Sequence, residues 1–179
     1  GTMQLDVKTG GANLYCLNHD LHLKKKIANV TISNGIVWTA DHKKMFYIDT
    51  PTKQITAYDY DMRAAKISQK KIAVRVPKNM GSPDGMTIDS EDMIWVAHYG
   101  AGIIARWNPF TGKLLRVIEV PAPNVSSCAF GDADLRTLYI TTAYQELSKE
   151  QLEKYPLSGS LFSIRTKVKG VELPGFKMK

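Results

Sequence analysis

Three stretches of this chain share one phrase, and it recurs at the spacing of a circular β architecture. Asn34-Gly35-Ile36-Val37-Trp38 leads into Met45-Phe46-Tyr47-Ile48, and Asp84-Gly85-Met86-Thr87-Ile88 leads into Met93-Ile94-Trp95-Val96. A weaker copy runs from Ser127-Cys128-Ala129-Phe130 into Leu138-Tyr139-Ile140. Strand-rich repeats of about 40–50 residues are the mark of propeller blades. Equivalent positions in neighbouring blades lie on one ring around a central axis. The oxygen-bearing side chains of Asn34 and Asp84, far apart in sequence, are therefore expected to converge.

The rest of the chain reads as β as well. Short runs rich in β-branched and aromatic residues predict strands over 13–17, 45–48, 55–60, 94–98, 103–107, 114–120, 138–142 and 160–165. Asn108-Pro109-Phe110-Thr111-Gly112-Lys113 is a hairpin turn, with Pro109 presetting φ and Gly112 free to turn left-handed. Asp41-His42-Lys43-Lys44 and Asp89-Ser90-Glu91-Asp92 look like tight turns at matching places in their copies. Asp59 and Asp61, flanking Tyr60, read as hairpin caps. Strands joined by turns argue for antiparallel sheets rather than a parallel α/β sheet. One segment departs from this: Ser148-Lys149-Glu150-Gln151 is a capping-box pattern, and its helix must end before Pro156. Residues 144–157 are expected to form an insertion between two strands of the last blade, over one face of the disc.

The length of 179 residues allows one ordinary domain with a real core, taken as 1–179, and 44% apolar residues is ordinary for a soluble one. There is no apolar run of about 18 residues to span a membrane, and no charged-then-apolar leader. Cys16 and Cys128 are lone cysteines in strand-like runs. They read as buried free thiols and favour a reducing, cytoplasmic setting. The net charge of +7 raises the question of anionic partners. The charges are scattered apart from Lys24-Lys25-Lys26 and Lys70-Lys71. Neither run lies on a helix-like or aromatic-interleaved stretch, so both read as solvated strand ends or turns, with no nucleic acid or membrane expected.

Taken in order, Ser33-Asn34-Gly35-Ile36-Val37-Trp38, Phe46-Tyr47-Ile48-Asp49, Tyr58-Asp59-Tyr60-Asp61, Ser82-Pro83-Asp84-Gly85-Met86-Thr87-Ile88-Asp89, Ile94-Trp95-Val96-Ala97, Ser126-Ser127-Cys128-Ala129-Phe130-Gly131 and Leu138-Tyr139-Ile140-Thr141 resemble the regucalcin, gluconolactonase and luciferin-regenerating enzyme family. The resemblance runs from about Gly11 to Gly170. It implies a six-bladed β-propeller with one divalent metal (Ca²⁺, Mn²⁺, Mg²⁺ or Zn²⁺) in the central channel. It also implies that the metal is held by a Glu of the first blade, the Asn of the Ser-Asn-Gly motif and the Asp of the Pro-Asp-Gly motif. The last two fall on Asn34 and Asp84. A substrate-contacting Arg-x-Asn pair and an acidic residue just after a Gly-Thr-Met motif complete the family's pocket; Gly1-Thr2-Met3 places Asp6 near that acidic position. The first-blade Glu and the Arg-x-Asn pair precede the Gly-Thr-Met motif in the family. Six blades need roughly 270 residues and this length supplies about four. The expectation is a partial propeller: the C-terminal part of a member, truncated or cleaved, completed by a missing segment or a second copy. A competing reading makes Gly1-Thr2 a cloning scar and Met3 a start.

One amide oxygen and one carboxylate suit a hard cation such as Ca²⁺, Mg²⁺ or Mn²⁺, and no His or Cys pair stands at zinc-ligand spacing. Against this, Asn-Gly and Asp-Gly are also plain turn dipeptides. A channel metal would polarise a lactone carbonyl and acidify a bound water, with Asp84 as candidate proton acceptor. The function expected is hydrolysis of a sugar lactone, against a non-catalytic calcium-binding regulator or an inactive fragment. His98 could face the channel but reads better as a strand-end histidine in a structural hydrogen bond. His19, His22 and His42 read as solvated, and Trp38, Trp95 and Trp107 as blade core or rim. Ser33 and Ser127 lack a nucleophile elbow.

Overall fold

The computed structural model describes residues 1–4, 6–173 and 175. Its thirteen strands form four antiparallel fans. Blade one is β1 (Ala12–Leu17) and β2 (Leu23–Val30). Blade two is β3 (Ser33–Trp38), β4 (Lys44–Asp49), β5 (Gln54–Asp61) and β6 (Lys66–Arg75). Blade three is β7 (Ser82–Ile88), β8 (Ile94–Tyr99), β9 (Ile103–Trp107) and β10 (Leu114–Glu119). Blade four is β11 (Asn124–Gly131), β12 (Thr137–Ala143) and β13 (Leu161–Arg165). Strands pair in sequence order within each blade, and blades three and four also touch at the Asn124–Tyr99 pair. The fold is the all-β partial propeller that the repeats predict.

The second strand of each middle blade shows why the blades stack. A strand covered on both faces reads as a continuous apolar run. In β8 the alternate side chains go to different cores. Ile94 and Val96 pack with Val37, Phe46 and Ile48 of blade two, whereas Trp95 and Ala97 pack with Val125, Leu138 and Ile140 of blade four. In β4, Phe46 and Ile48 face blade three while Met45 and Tyr47 pack with Ala12, Leu14 and Val30 of blade one. The core is thus a series of layers between blades, and β3, β7 and β11 stand side by side as its inner wall.

Turns repeat as well. Asp89 closes the β7–β8 turn and is fully buried, accepting from the Glu91 and Met93 backbones, Trp95 Nε1 (2.8 Å) and Arg106 Nε (2.8 Å). Asp61 caps the β5–β6 turn through Arg63 and Ala64, while Asp59 instead pairs with Lys44. Lys169 and Gly170 bond the turns of blades three and four from the C-terminal segment. The insertion holds α1 (Lys149–Lys154), with Ser148 and Gln151 forming the capping box. Among the described residues no helix is long and apolar enough to cross a membrane.

Two expectations are corrected. Lys24–Lys26 sit at the starting end of β2, as expected, but Lys70–Lys71 lie midway along β6 and not at an end or a turn; β2 and β6 are the outermost strands of blades one and two. Lysines on an open edge oppose pairing with another sheet. Cys128 is buried, but Cys16 on β1 is only half-buried, because its neighbours cover one face of a two-stranded sheet.

Candidate functional site

Each inner strand carries a register break at the same place. In β3 the pairing passes from Ser33–Asp49 to Ile36–Tyr47, in β7 from Pro83–His98 to Met86–Val96, and in β11 from Val125–Thr142 to Ser127–Thr141. Each time the inner strand advances one residue more than its partner, which defines a β-bulge, a device that re-aims a side chain. The residues just after the first pair are Asn34, Asp84 and Ser126. They occupy one ring position on three neighbouring blades. This corrects the alignment of the third copy: Ser126, not Ser127, is the counterpart of Asn34 and Asp84.

The glycine after Asn34 and Asp84 has a packing reason. A Cβ on Gly35 would stand 2.6 Å from Met86 Cγ and 2.9 Å from the Asp84 carbonyl oxygen. A Cβ on Gly85 would stand 2.3 Å from Ser127 Oγ and 2.9 Å from the Ser126 carbonyl oxygen. No side chain fits at either place, so bulge meets bulge and the ring residues are brought together.

The Asn34 side-chain amide lies beside the Asp84 carboxylate and lowers its pKa as a donor. Its Nδ2 also donates to Thr50 Oγ1 (3.1 Å), and Thr50 Oγ1 donates to the Pro83 carbonyl (2.9 Å). Burial pushes the Asp84 carboxyl up to about 6; the hydrogen bonds from Asn34 and the Gly85 backbone oppose this only in part, and no cationic side chain is among the causes. A half-buried carboxylate without a cation, beside a side-chain amide that also carries an oxygen, is a donor set that fits a hard divalent ion. Among the described residues no three His, Cys, Asp or Glu side chains converge. These strands therefore offer two strong oxygens, with water or other groups needed for the remaining ligands.

Ser126 Oγ lies 2.9 Å from Thr141 Oγ1, adding a hydroxyl pair next to Asp84's blade. Burial raises the Tyr99 phenol above the ordinary value, and the charges of Glu146 and Asp84 add to this. The Gln145 carbonyl accepts from Asn124 Nδ2 (2.8 Å), so the insertion is moored at this bulge end of the strands. His98 is fully buried; its Nδ1 meets the Met80 carbonyl (2.7 Å), burial lowers its pKa, and its ring stacks on Trp107. It serves the segment leading to Asp84 and does not join the ring. Trp95 and Trp107 are buried core, and Trp38 is half-buried against Tyr60. Asp6 is exposed in a bend after the Met3–Ile32 bridge, and no hydrogen bond among the described residues joins it to Asn34 or Asp84. His19, His22 and His42 are exposed. At the far end of the inner strands a cavity of about 610 Å³ is walled by Ile36, Trp38, Met86 and Cys128.

Residues 1–144 match the family described as SMP-30/Gluconolactonase/LRE-like region. A protein of Bacillus subtilis (strain 168), assigned as the sugar lactone lactonase YvrE, is 40% identical over 172 residues, 96% of this chain and 59% of that protein. Regucalcin of Danio rerio is 38% identical over 166 residues, 92% of this chain and 56% of its own length. Among solved structures, a luciferin-regenerating enzyme superposes with a TM-score of 0.86 at 33% identity, covering 99% of this chain and 60% of that one. The chain therefore spans somewhat over half the length of the relatives it matches.

Proposed function

Because the chain belongs to the SMP-30/gluconolactonase/LRE-like family, we propose that it carries part of the active site of a metal-dependent hydrolase that opens a sugar lactone. The observation that supports this most is the shared bulge, which sets Asn34, Asp84 and Ser126 on one ring position of three blades. The name of the Bacillus subtilis relative supplies the substrate class.

In this reading Asn34 and Asp84 would hold one divalent ion through their side-chain oxygens. When bound, the ion supplies Lewis-acid polarisation of the lactone carbonyl and lowers the pKa of water. The protein's own part is to position and to move protons. Asp84 is the carboxylate placed to accept a proton from the attacking water. The water oxygen bonds the carbonyl carbon, the ring C–O bond breaks, the ring oxygen takes the proton held by Asp84 and leaves as a hydroxyl, and the carboxylic acid formed releases its proton to solvent. The Ser126–Thr141 hydroxyls receive a hydroxyl of the sugar. Two free cysteines agree with a cytoplasmic setting.

The test is proton release from gluconolactone, above the spontaneous rate, with Mn²⁺, Ca²⁺ or Zn²⁺ added and then chelated. Turnover that follows the metal and vanishes in Asp84→Ala supports the reading. Stoichiometric metal binding that raises the melting temperature without any turnover would replace it with a non-catalytic calcium-binding role.

A further inference from the structure

Asp49 and Thr50 tie together the two chain segments that carry Asn34 and Asp84. They lead from β4 into a single turn of 3-10 helix, Thr50–Thr52, with Pro51 in its first positions. The Asp49 carboxylate accepts from the backbone N–H of Thr31 (3.2 Å) and Ile32 (2.9 Å), and the Thr50 N–H donates to the Ile32 carbonyl (3.1 Å). The backbone just ahead of Asn34 is therefore fixed to the end of β4. The Thr50 hydroxyl then reaches both sides: it accepts from Asn34 Nδ2 (3.1 Å) and donates to the Pro83 carbonyl (2.9 Å), one residue before Asp84.

A hydroxyl has one hydrogen. Spent on the Pro83 carbonyl, it leaves Thr50 Oγ1 only an acceptor toward Asn34. Asn34 must then present its NH₂ group to Thr50, which turns Oδ1 away from Thr50 and leaves it free to accept. An amide flip would set Oδ1 against Thr50 Oγ1 with no hydrogen between them. Other clamps hold the approach to Asp84: Lys53 Nζ donates to the Gly81 carbonyl (2.6 Å) and Ser82 Oγ (2.8 Å), and His98 holds the Met80 carbonyl. These touch one side of the site only, whereas Thr50 bonds both.

We propose that Thr50 is a positioning residue of the cation site: its hydroxyl selects the Asn34 amide orientation that offers Oδ1 as a ligand and fixes Asn34 against Asp84. This rests on reading Asn34 and Asp84 as ligands. Outer partners of metal ligands set affinity by about 10- to 100-fold.

The measurement is the Mn²⁺ dissociation constant of the purified protein, alongside its metal-free melting temperature. Thr50→Val keeps the shape and removes both hydroxyl bonds; Thr50→Ser keeps them. Thr142→Val is the control, since Thr142 Oγ1 also makes two bonds, to the Ser160 carbonyl (2.8 Å) and from the Gly159 N–H (3.0 Å), but in blade four. Expected are Mn²⁺ binding weakened at least about tenfold in Thr50→Val, within about twofold of wild type in Thr50→Ser, and unchanged in Thr142→Val. Melting temperatures that fall alike in Thr50→Val and Thr142→Val with Mn²⁺ affinity unchanged in both would reduce Thr50 to a structural role and overturn the inference alone. A wild-type protein that binds no Mn²⁺ overturns the ligand reading, and this inference with it. If Thr50→Val does not fold, Ca²⁺ titration of the wild-type protein decides: the Asn34 carbonyl carbon resonance shifts as Oδ1 coordinates while its NH₂ hydrogens stay bonded, and an unmoved carbon resonance rejects the proposal.

Discussion

Blades two and three carry the same phrase on the same bulge and do opposite things with it. In blade two the ring residue is neutral, and Asn34 is held by Thr50 and turned toward Asp84. In blade three the ring residue is a carboxyl driven up to about 6 by burial, with no cationic side chain to relieve it. Their outer strands diverge too: β6 exposes Lys70 and Lys71, whereas β10 exposes Leu115 and Val117. Backbone geometry repeats because every blade must stack, so the bulge and the glycine recur. The side chain at the bulge is free of that demand and carries the chemistry. One carboxylate and one amide give the site a single negative charge, and in the proposed cation site that charge would be the source of the attraction.

The sharpest way to break this comparison is to remove each ring residue in turn. Asp84→Ala should weaken divalent-ion binding by at least about 100-fold, and Asn34→Ala by about tenfold, because ligand charge sets affinity for hard cations. Calorimetric titration with Mn²⁺ checks this. Equal losses would mean that the two blades contribute equally and that the charge asymmetry decides nothing.

The glycines test the shared half of the comparison. Gly35→Ala and Gly85→Ala should each destabilise by about 1–3 kcal/mol, lowering the melting temperature by roughly 2–4 °C per kcal/mol. They should differ at the site. The Gly35 Cβ would press on backbone, the Asp84 carbonyl and the Met86 nitrogen, both at 2.9 Å, and must move β7. The nearest obstacle at Gly85 is the Ser127 side chain. Gly35→Ala is therefore expected to weaken Mn²⁺ binding beyond its loss of stability, and Gly85→Ala to leave Mn²⁺ affinity closer to wild type.

The electrostatic half predicts a gain. Asp84 has its pKa raised in the folded chain, so its contribution to stability is fully present below the unfolded value near 4 and is lost as the pH rises through about 6. At pH 7 without metal, the charged Asp84 destabilises the fold. Each pKa unit corresponds to about 1.4 kcal/mol, and solvent screening at a half-exposed site reduces the total to about 1–2 kcal/mol. Asp84→Asn should thus be more stable than wild type at pH 7 by about that amount, with the advantage gone below about pH 4. Denaturant titrations at the two pH values read it. A variant less stable at pH 7 would show that the carboxylate is already satisfied.

What the sequence revealed follows from what repeats. The inner and second strands were legible because their alternate apolar residues must fill two cores, as in Ile94-Trp95-Val96-Ala97. β2 and β6 escaped notice because an outermost strand with Lys24–Lys26 or Lys70–Lys71 shows no apolar alternation. Asn34 and Asp84 stood out because a glycine follows each. Asp89 looked like an ordinary turn residue, since nothing in Asp89-Ser90-Glu91-Asp92 announces that Trp95 and Arg106 come from two other strands to bury it. Thr50 was invisible for a similar reason: both its partners lie across space, in β3 and β7.

Ser126 has the smallest effect and the most specific one. It lies at the ring position but has no glycine behind it; Ser127 follows instead, so the third copy of the phrase matched one residue late. Its hydroxyl, 2.9 Å from Thr141 Oγ1, carries no charge and is a poor third ligand beside Asn34 and Asp84. A role in holding a sugar hydroxyl predicts that Ser126→Ala raises KM for gluconolactone by about two- to tenfold, the range of one lost neutral hydrogen bond, with kcat and Mn²⁺ affinity unchanged. A simple aliphatic lactone, which has no hydroxyl to offer, should show no change in KM. If both lactones suffer equally, Ser126 acts on the reacting ring or on the metal. Blade four would then contribute chemistry of the kind assigned here to the first two ring residues, and the division between a cation-holding pair and a substrate-holding hydroxyl would have to be given up.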